Sequence, residues 1–195
     1  MIVFEDESFL TVYKGMYKGD AAEMADEDFE KLTSEMTSYG KKRAMNLLVK
    51  KSYSRRALEK KLEDDGYNSA IIGKVIEFLD SFHYLNDEAL AESLVRNNRM
   101  TKSRAEIRFL LKRREIPDEV AENAIEEVYS EDDENDDGTD PEMKTIVLLL
   151  KKLNMTPEKI AALEYKDRQK LAAKFYRKGF RSDNISKALK LESFE

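Results

Sequence analysis

Apolar residues fall at helical spacing along most of this chain, and one apolar pattern recurs. From Ser54 to Ile76 the skeleton is Leu58, Leu62, Tyr67, Ile71, Val75 and Ile76; 49 positions later, from Ser103 to Ile125, it is Ile107, Leu111, Ile116, Val120, Ala124 and Ile125. A fainter third copy, from Asp167 to Leu189, carries Leu171, Phe175, Phe180, Ile185 and Leu189, with Ile185 one place late. Residues four apart share a helix face, so each copy reads as helices with one apolar stripe. Recurrence on this scale predicts stacked supersecondary units whose shared surface binds something large. The expected fold is all-α, a tandem array of three three-helix repeats, behind a small N-terminal segment with a short β-hairpin.

Local signals set the boundaries. Phe9-Leu10-Thr11-Val12-Tyr13 can pair with Ile2-Val3-Phe4, and a helix follows from Asp26 to about Ser38 on Phe29, Leu32 and Met36, ended by Tyr39-Gly40. That makes residues 1–40 an acidic N-terminal segment. Repeat 1 spans 41–85: a helix at Lys41 to Lys51, a second capped by Ser54 and stopped by a left-handed Gly66, and a third beginning at Asn68 or Ser69. Repeat 2 spans 86–129, with a capping box at Ser103-Arg104-Ala105-Glu106 and Pro117 restarting the chain as a helix. Glu115 stands where repeat 1 has Gly66, so the left-handed cap is expected to be lost there. Residues 130–141 are dense in acid and have no apolar run, which predicts a flexible linker. Repeat 3, 142–195, opens with a Leu-rich helix to Leu153 and carries an insert from Asn154 to Tyr165. Behind its tether it is expected to be a separately movable arm.

Charge changes this picture. The net charge is -6, yet residues 1–40 hold 10 acidic and 3 basic side chains and residues 130–142 hold 8 acidic and none basic. The repeats themselves are neutral to basic: 18 basic against 16 acidic over 41–129, and 13 against 6 over 143–195. There is no Cys, which removes disulfides and thiolate chemistry and fits a reducing compartment. The N-terminus has no basic, apolar leader pattern, and the best apolar run, Ile146 to Leu150, is too short to span a bilayer, so a cytoplasmic protein is expected.

Catalytic chemistry is hard to place. His83 is the only histidine, between Phe82 and Tyr84 in an inter-helix turn, so a nucleophile-base pair built on imidazole would rest on it alone. No Gly-rich phosphate loop and no Cys/His metal spacing occurs, and the acidic run lacks the alternating ligands of a calcium loop. No enzyme activity, cofactor or metal is expected. The informative polar feature is Arg55, Arg104 and Arg168, at one position in all three copies directly after the capping residue. A cation there faces an unfavourable helix dipole, so something must compensate: an ion pair to a neighbouring helix, or carboxylates or phosphates of a partner. Around them lie Arg56, Lys60, Lys61, Arg96, Arg99, Arg108 and Lys112; with the three arginines these are the candidate partner-binding residues.

The string Ser54-Arg55-Arg56-Ala57-Leu58-Glu59-Lys60-Lys61-Leu62, with Gly66-Tyr67, Ile71, Val75-Ile76 and then Tyr84-Leu85-Asn86-Asp87-Glu88 and Leu90-Ala91, resembles the RecX family of bacterial recombinase regulators. The likeness is strong over 41–129 and looser over 142–190. It implies a modulator of the RecA recombinase, usually inhibitory, that lies in the groove of the RecA–DNA filament and performs no catalysis. The family's basic surface would map onto the bands around Arg55 and Arg104. Departures from the family pattern are Leu90 and Leu94, where relatives often carry aromatics, Ser103 where many carry Gly, and the acidic head and linker, which weigh against DNA more than against RecA. The expected partner is therefore the RecA filament, with DNA a weaker one, and the protein acting as a monomer. A helix-turn-helix-like DNA-binding or transcriptional regulator is the alternative reading, since closely spaced basic helices could serve either.

Overall fold

The computed structural model describes residues 2–3, 9–10, 16, 24–133 and 140–191. Strands β1 (Ile2–Val3) and β2 (Phe9–Leu10) pair antiparallel, with Ile2 opposite Leu10 and Val3 opposite Phe9, so the hairpin forms as two-residue strands. Phe4 and residues 11–13 lie outside the described residues. Ten helices follow among the described residues: α1 (Asp26–Lys50), α2 (Arg55–Asp64), α3 (Ser69–Ser81), α4 (Asp87–Asn98), α5 (Arg104–Arg113), α6 (Asp118–Asp133), α7 (Pro141–Lys152), α8 (Pro157–Ala162), α9 (Tyr165–Arg177) and α10 (Ser182–Leu189). They fall into two compact units, residues 1–87 and 88–195.

In the first unit the expected break at Gly40 does not occur; α1 runs straight through it. Gly40 is buried against α3, where a methyl group would meet Val75 Cγ2 at 2.9 Å and Tyr67 at 3.4 Å. The glycine lets two helices approach rather than ending one. Ser54 accepts from the Ala57 N–H and Asn68 from the Ile71 N–H, as their types predict. Leu32, Met36, Ala44 and Leu47 of α1 pack with Leu58, Leu62, Tyr67, Ile71, Val75 and Leu79 into one core.

The second unit contains two such cores. Ala91, Val95, Ile107, Leu111, Ile116, Ile125 and Val128 fill repeat 2; Ile146, Leu150, Ile160, Phe175, Phe180, Ile185 and Leu189 fill repeat 3. The insert of repeat 3 supplies α8, so this repeat has four helices, with Thr156 accepting from the Lys159 N–H and Pro157 in its first turn. The linker is shorter than composition suggests. Residues 130–133 continue α6, and Asp140 is already the N-cap of α7, accepting from the Glu142 N–H at 2.8 Å. Residues 134–139 lie outside the described residues.

One C-terminal device recurs. Gly66, His83, Glu115, Asn154, Gly179 and Lys190 all have positive φ, between 49° and 92°. The next residue in each case, Tyr67, Tyr84, Ile116, Met155, Phe180 or Leu191, donates its N–H to the carbonyl five positions back. These are Schellman endings, which satisfy the orphan carbonyls and fold an apolar residue over the helix end. The cap expected to vanish at Glu115 is therefore present: the loop geometry is kept and a non-glycine residue adopts the left-handed conformation. His83 serves in the same structural position.

Candidate interaction surface

The three matched arginines are engaged by the helices of their own repeat. Arg55 forms a two-pronged bridge to Asp80 at the end of α3, both bonds 2.8 Å, and its guanidinium pKa is raised by that hydrogen bond and the nearby carboxylate charge. Arg104 lies over the ring of Tyr129 near the end of α6, 4.4 Å from its centroid, with Asp140 at 3.9 Å. Burial pushes the Tyr129 hydroxyl up to about 12, against the opposing pull of Arg104. Arg168 donates to the Lys190 carbonyl at the end of α10, 3.1 Å away. Each repeat thus ties the arginine of its penultimate helix to the C-terminal end of its final helix, with a carboxylate, a ring and a carbonyl in turn. The ion-pair reading of this position holds literally for Arg55.

Arg168 departs from the expected placement. α9 begins at Tyr165 behind Glu164, which gives no side-chain cap, so Arg168 sits a turn inside the helix. Its apolar register is unchanged: Leu171, Phe175, Gly179 and Phe180 repeat the spacing of Leu58, Leu62, Gly66 and Tyr67.

The remaining candidates are largely paired on the surface. Arg108 forms a bidentate bridge to Glu122 at 2.6 and 2.8 Å, which holds the Glu122 carboxyl below its ordinary range. Lys61 reaches Asp65 at 3.0 Å, and Asp65 also takes Arg43 at 2.7 Å. Arg96 stands 3.8 Å from Glu92, and Arg99 donates to the Val128 carbonyl at 3.1 Å. Arg56 and Lys60 are exposed and also engaged. Lys112 is exposed. Pairing at the surface leaves such cations exchangeable, because exposed bridges contribute only about 0–1 kcal/mol.

The strongest polar centre was not singled out by sequence. Glu142, 1% exposed, sits in the first turn of α7 and reaches two other helices. Its Oε1 accepts from the Arg104 N–H at 3.3 Å, and its Oε2 from the Arg181 N–H at 3.2 Å and from Asn184 Nδ2 at 3.3 Å. One carboxylate thereby caps both α5 and α10, where the helix dipole favours negative charge. Around it Asn184 donates to Asp140 at 3.0 Å, Thr145 donates to the Arg99 carbonyl at 2.6 Å, and Ser103 Oγ donates to the Lys178 carbonyl. Gly179 approaches Ala105 so closely that an added methyl would lie 2.6 Å from the Ala105 Cβ. Repeat 3 is consequently seated on repeat 2, which corrects the expectation of a separately movable arm. An acid in a helix's first turn is ordinary, and only the fold turns it toward two neighbouring helix ends. Asp87 makes the simpler counterpart in the first unit, accepting from the Arg55 N–H at 2.9 Å.

The family model described as "RecX, first three-helix domain" matches residues 41–79. Regulatory protein RecX of Caldanaerobacter subterraneus is 27% identical over 175 residues, covering 85% of this chain and 81% of its own. That of Clostridium perfringens is 26% identical over 189 residues, 93% of this chain and 84% of the relative. Along most of its length the chain is thus similar to regulatory RecX proteins. A crystal structure of RecX from Lactobacillus salivarius superposes with a TM-score of 0.66 over 80% of this chain and 96% of that one, at 24% identity, and so shares the fold. Among the described residues no helix is long and apolar enough to cross a membrane, and no group of three or more His, Asp or Glu could hold a metal ion.

Proposed function

We propose that this chain binds RecA, most strongly as a filament on DNA, and restrains its activity by lying in the filament groove without catalysis of its own. The observation that carries the reading is the recurrence of one short basic helix. α2 and α5 are each ten residues, each follows a serine cap, and each presents Arg or Lys along its length: Arg55, Arg56, Lys60 and Lys61 in one, Arg104, Arg108, Lys112 and Arg113 in the other. Repeated surfaces of this kind suit a partner that is itself a repeated array, where several weak contacts made together reinforce one another. Similarity to proteins described as regulatory protein RecX supports the same reading.

The deciding experiment adds the chain to RecA on single-stranded DNA and follows ATP hydrolysis and strand exchange. Both should slow at stoichiometric protein, and unchanged rates at that level would sink the proposal. Reversing charge at Lys60 and Lys112 together should weaken the effect while leaving the fold intact, since both side chains are exposed. Arg55 and Arg104 make poorer probes of contact because their loss also removes a brace. Titration against naked DNA over a salt series is the companion measurement, because affinity carried by phosphates falls steeply with salt. Tight, steeply salt-dependent binding to naked DNA with no effect on RecA would favour the DNA-binding alternative.

A further inference from the structure

Between α5 and the end of α9 lies an open cleft of about 390 Å³. Its floor is apolar: Ala105, Leu110 and Phe109, the last with 63% of its surface exposed. Its rim is basic, with Lys102 just before α5, Arg113 at the end of α5, and Arg177 and Lys178 at the end of α9. The lining has one acid, Glu106, and it is already occupied, accepting from the Ser103 N–H at 3.1 Å with Lys178 Nζ at 3.8 Å. Lys102 holds the Asn98 amide oxygen at 2.7 Å and Arg177 the Ala173 carbonyl at 3.3 Å. Those acceptors are neutral, so both cations keep their charge uncancelled at the cleft edge.

An apolar floor inside a cationic rim selects for a particular chemistry. Carboxylates gain at the rim and a large apolar side chain gains at the floor, whereas a hydrophobic patch of this kind on a charged surface is otherwise disfavoured. Nucleic acid fits less well. Sequence-tolerant single-strand binding stacks successive bases on several open aromatic faces, and this floor offers a single ring, with Arg113 already 5.9 Å from its centroid.

We propose that the α5–α9 cleft docks an acidic peptide segment of a partner protein bearing one large apolar side chain, seated on Phe109 and Leu110 while flanking carboxylates meet Lys102, Arg113 and Arg177. The site lies wholly within the second unit and does not depend on the RecA reading. The test titrates the full chain into a short fluorescein-labelled peptide of Asp and Glu with one central Phe, followed by anisotropy. Saturable binding is expected, weakening by about tenfold or more when the peptide Phe becomes Ala, and likewise for Phe109→Ala or Arg177→Glu, about 1.4 kcal/mol per decade. Both protein side chains are exposed, so circular dichroism should match the parent. No binding, equal affinity for the Ala peptide, indifference to both protein substitutions, or tighter binding of oligothymidylate sensitive to the same substitutions would each overturn the proposal.

Discussion

At the scale of single residues, the six left-handed positions separate what the backbone needs from what the side chain supplies. Glycine adopts this conformation freely, whereas other residues are disfavoured by about 1–2 kcal/mol, less for Asn. Glu115, with φ 56°, is therefore strained in place. Glu115→Gly should stabilise the fold by about 0.5–1 kcal/mol, the relief of strain being partly offset by the looser unfolded chain; a lower urea midpoint would refute this. The reverse change discriminates between two glycines. Gly66→Ala should cost about 1 kcal/mol or more from backbone strain. Gly179→Ala should cost more than that, because its methyl would also press on Ala105 at 2.6 Å. Gly40 is a different case, since its cost is steric. Gly40→Ala gains helix propensity of about 1 kcal/mol and forces a contact at 2.9 Å with Val75. The variant should be destabilised in urea unfolding, and adding Val75→Ala should cost less in that background than in the parent. Strictly additive effects would show that the helices do not meet there as described.

At the scale of elements, the N-terminus of α7 organises the second unit. Replacing Glu142 by Gln keeps the shape but turns an amide N–H₂ toward groups that donate, leaving a buried donor unpaired at a cost of about 1–3 kcal/mol. Hydrogen exchange of E142Q should quicken at Arg104 and Arg181, with the first unit unaffected; exchange unchanged at both amides would dismiss Glu142 as the shared cap. Asp140 adds a pH dependence. Burial raises its pKa, but the hydrogen bonds from Asn184 and the Glu142 backbone, with Arg104 and Arg181 nearby, outweigh burial and hold the carboxyl below the usual range. A carboxyl with a depressed folded pKa contributes stability fully above its unfolded value, about 4, and loses it as pH falls through the folded one. The second unit should weaken in acid below about pH 4, and D140N should flatten that dependence in thermal melts between neutral and acid pH. An identical acid slope in D140N would place the titration elsewhere.

At the scale of the molecule, much of the fold was legible because its signals are local. Ser54, Asn68, Ser103 and Thr156 announced helix starts, Gly66 a stop, and Leu58-Leu62 and Ile107-Leu111 the buried stripes. The readings that changed depend on distant neighbours. Gly40 looks like punctuation until Val75 is seen beside it, and Asp140 looks like linker until Asn184 reaches it. The candidate surface divided in the same way. Charge identified which residues are basic, but only packing showed that Arg55, Arg104 and Arg168 brace their own repeats and that Glu142 seats repeat 3 on repeat 2.

That division between near and far contacts also sets an order in time. The Schellman bonds at the six left-handed endings span five residues, whereas those of Glu142 link groups 38 to 42 apart in sequence. Contacts between near neighbours close quickly, and distant ones must first overcome the entropy of the intervening chain. The seating of α7 between α5 and α10 should then be a late event in folding. E142Q would accordingly raise the unfolding rate while leaving the refolding rate nearly unchanged, so the lifetime of the assembled second unit is governed by one carboxylate.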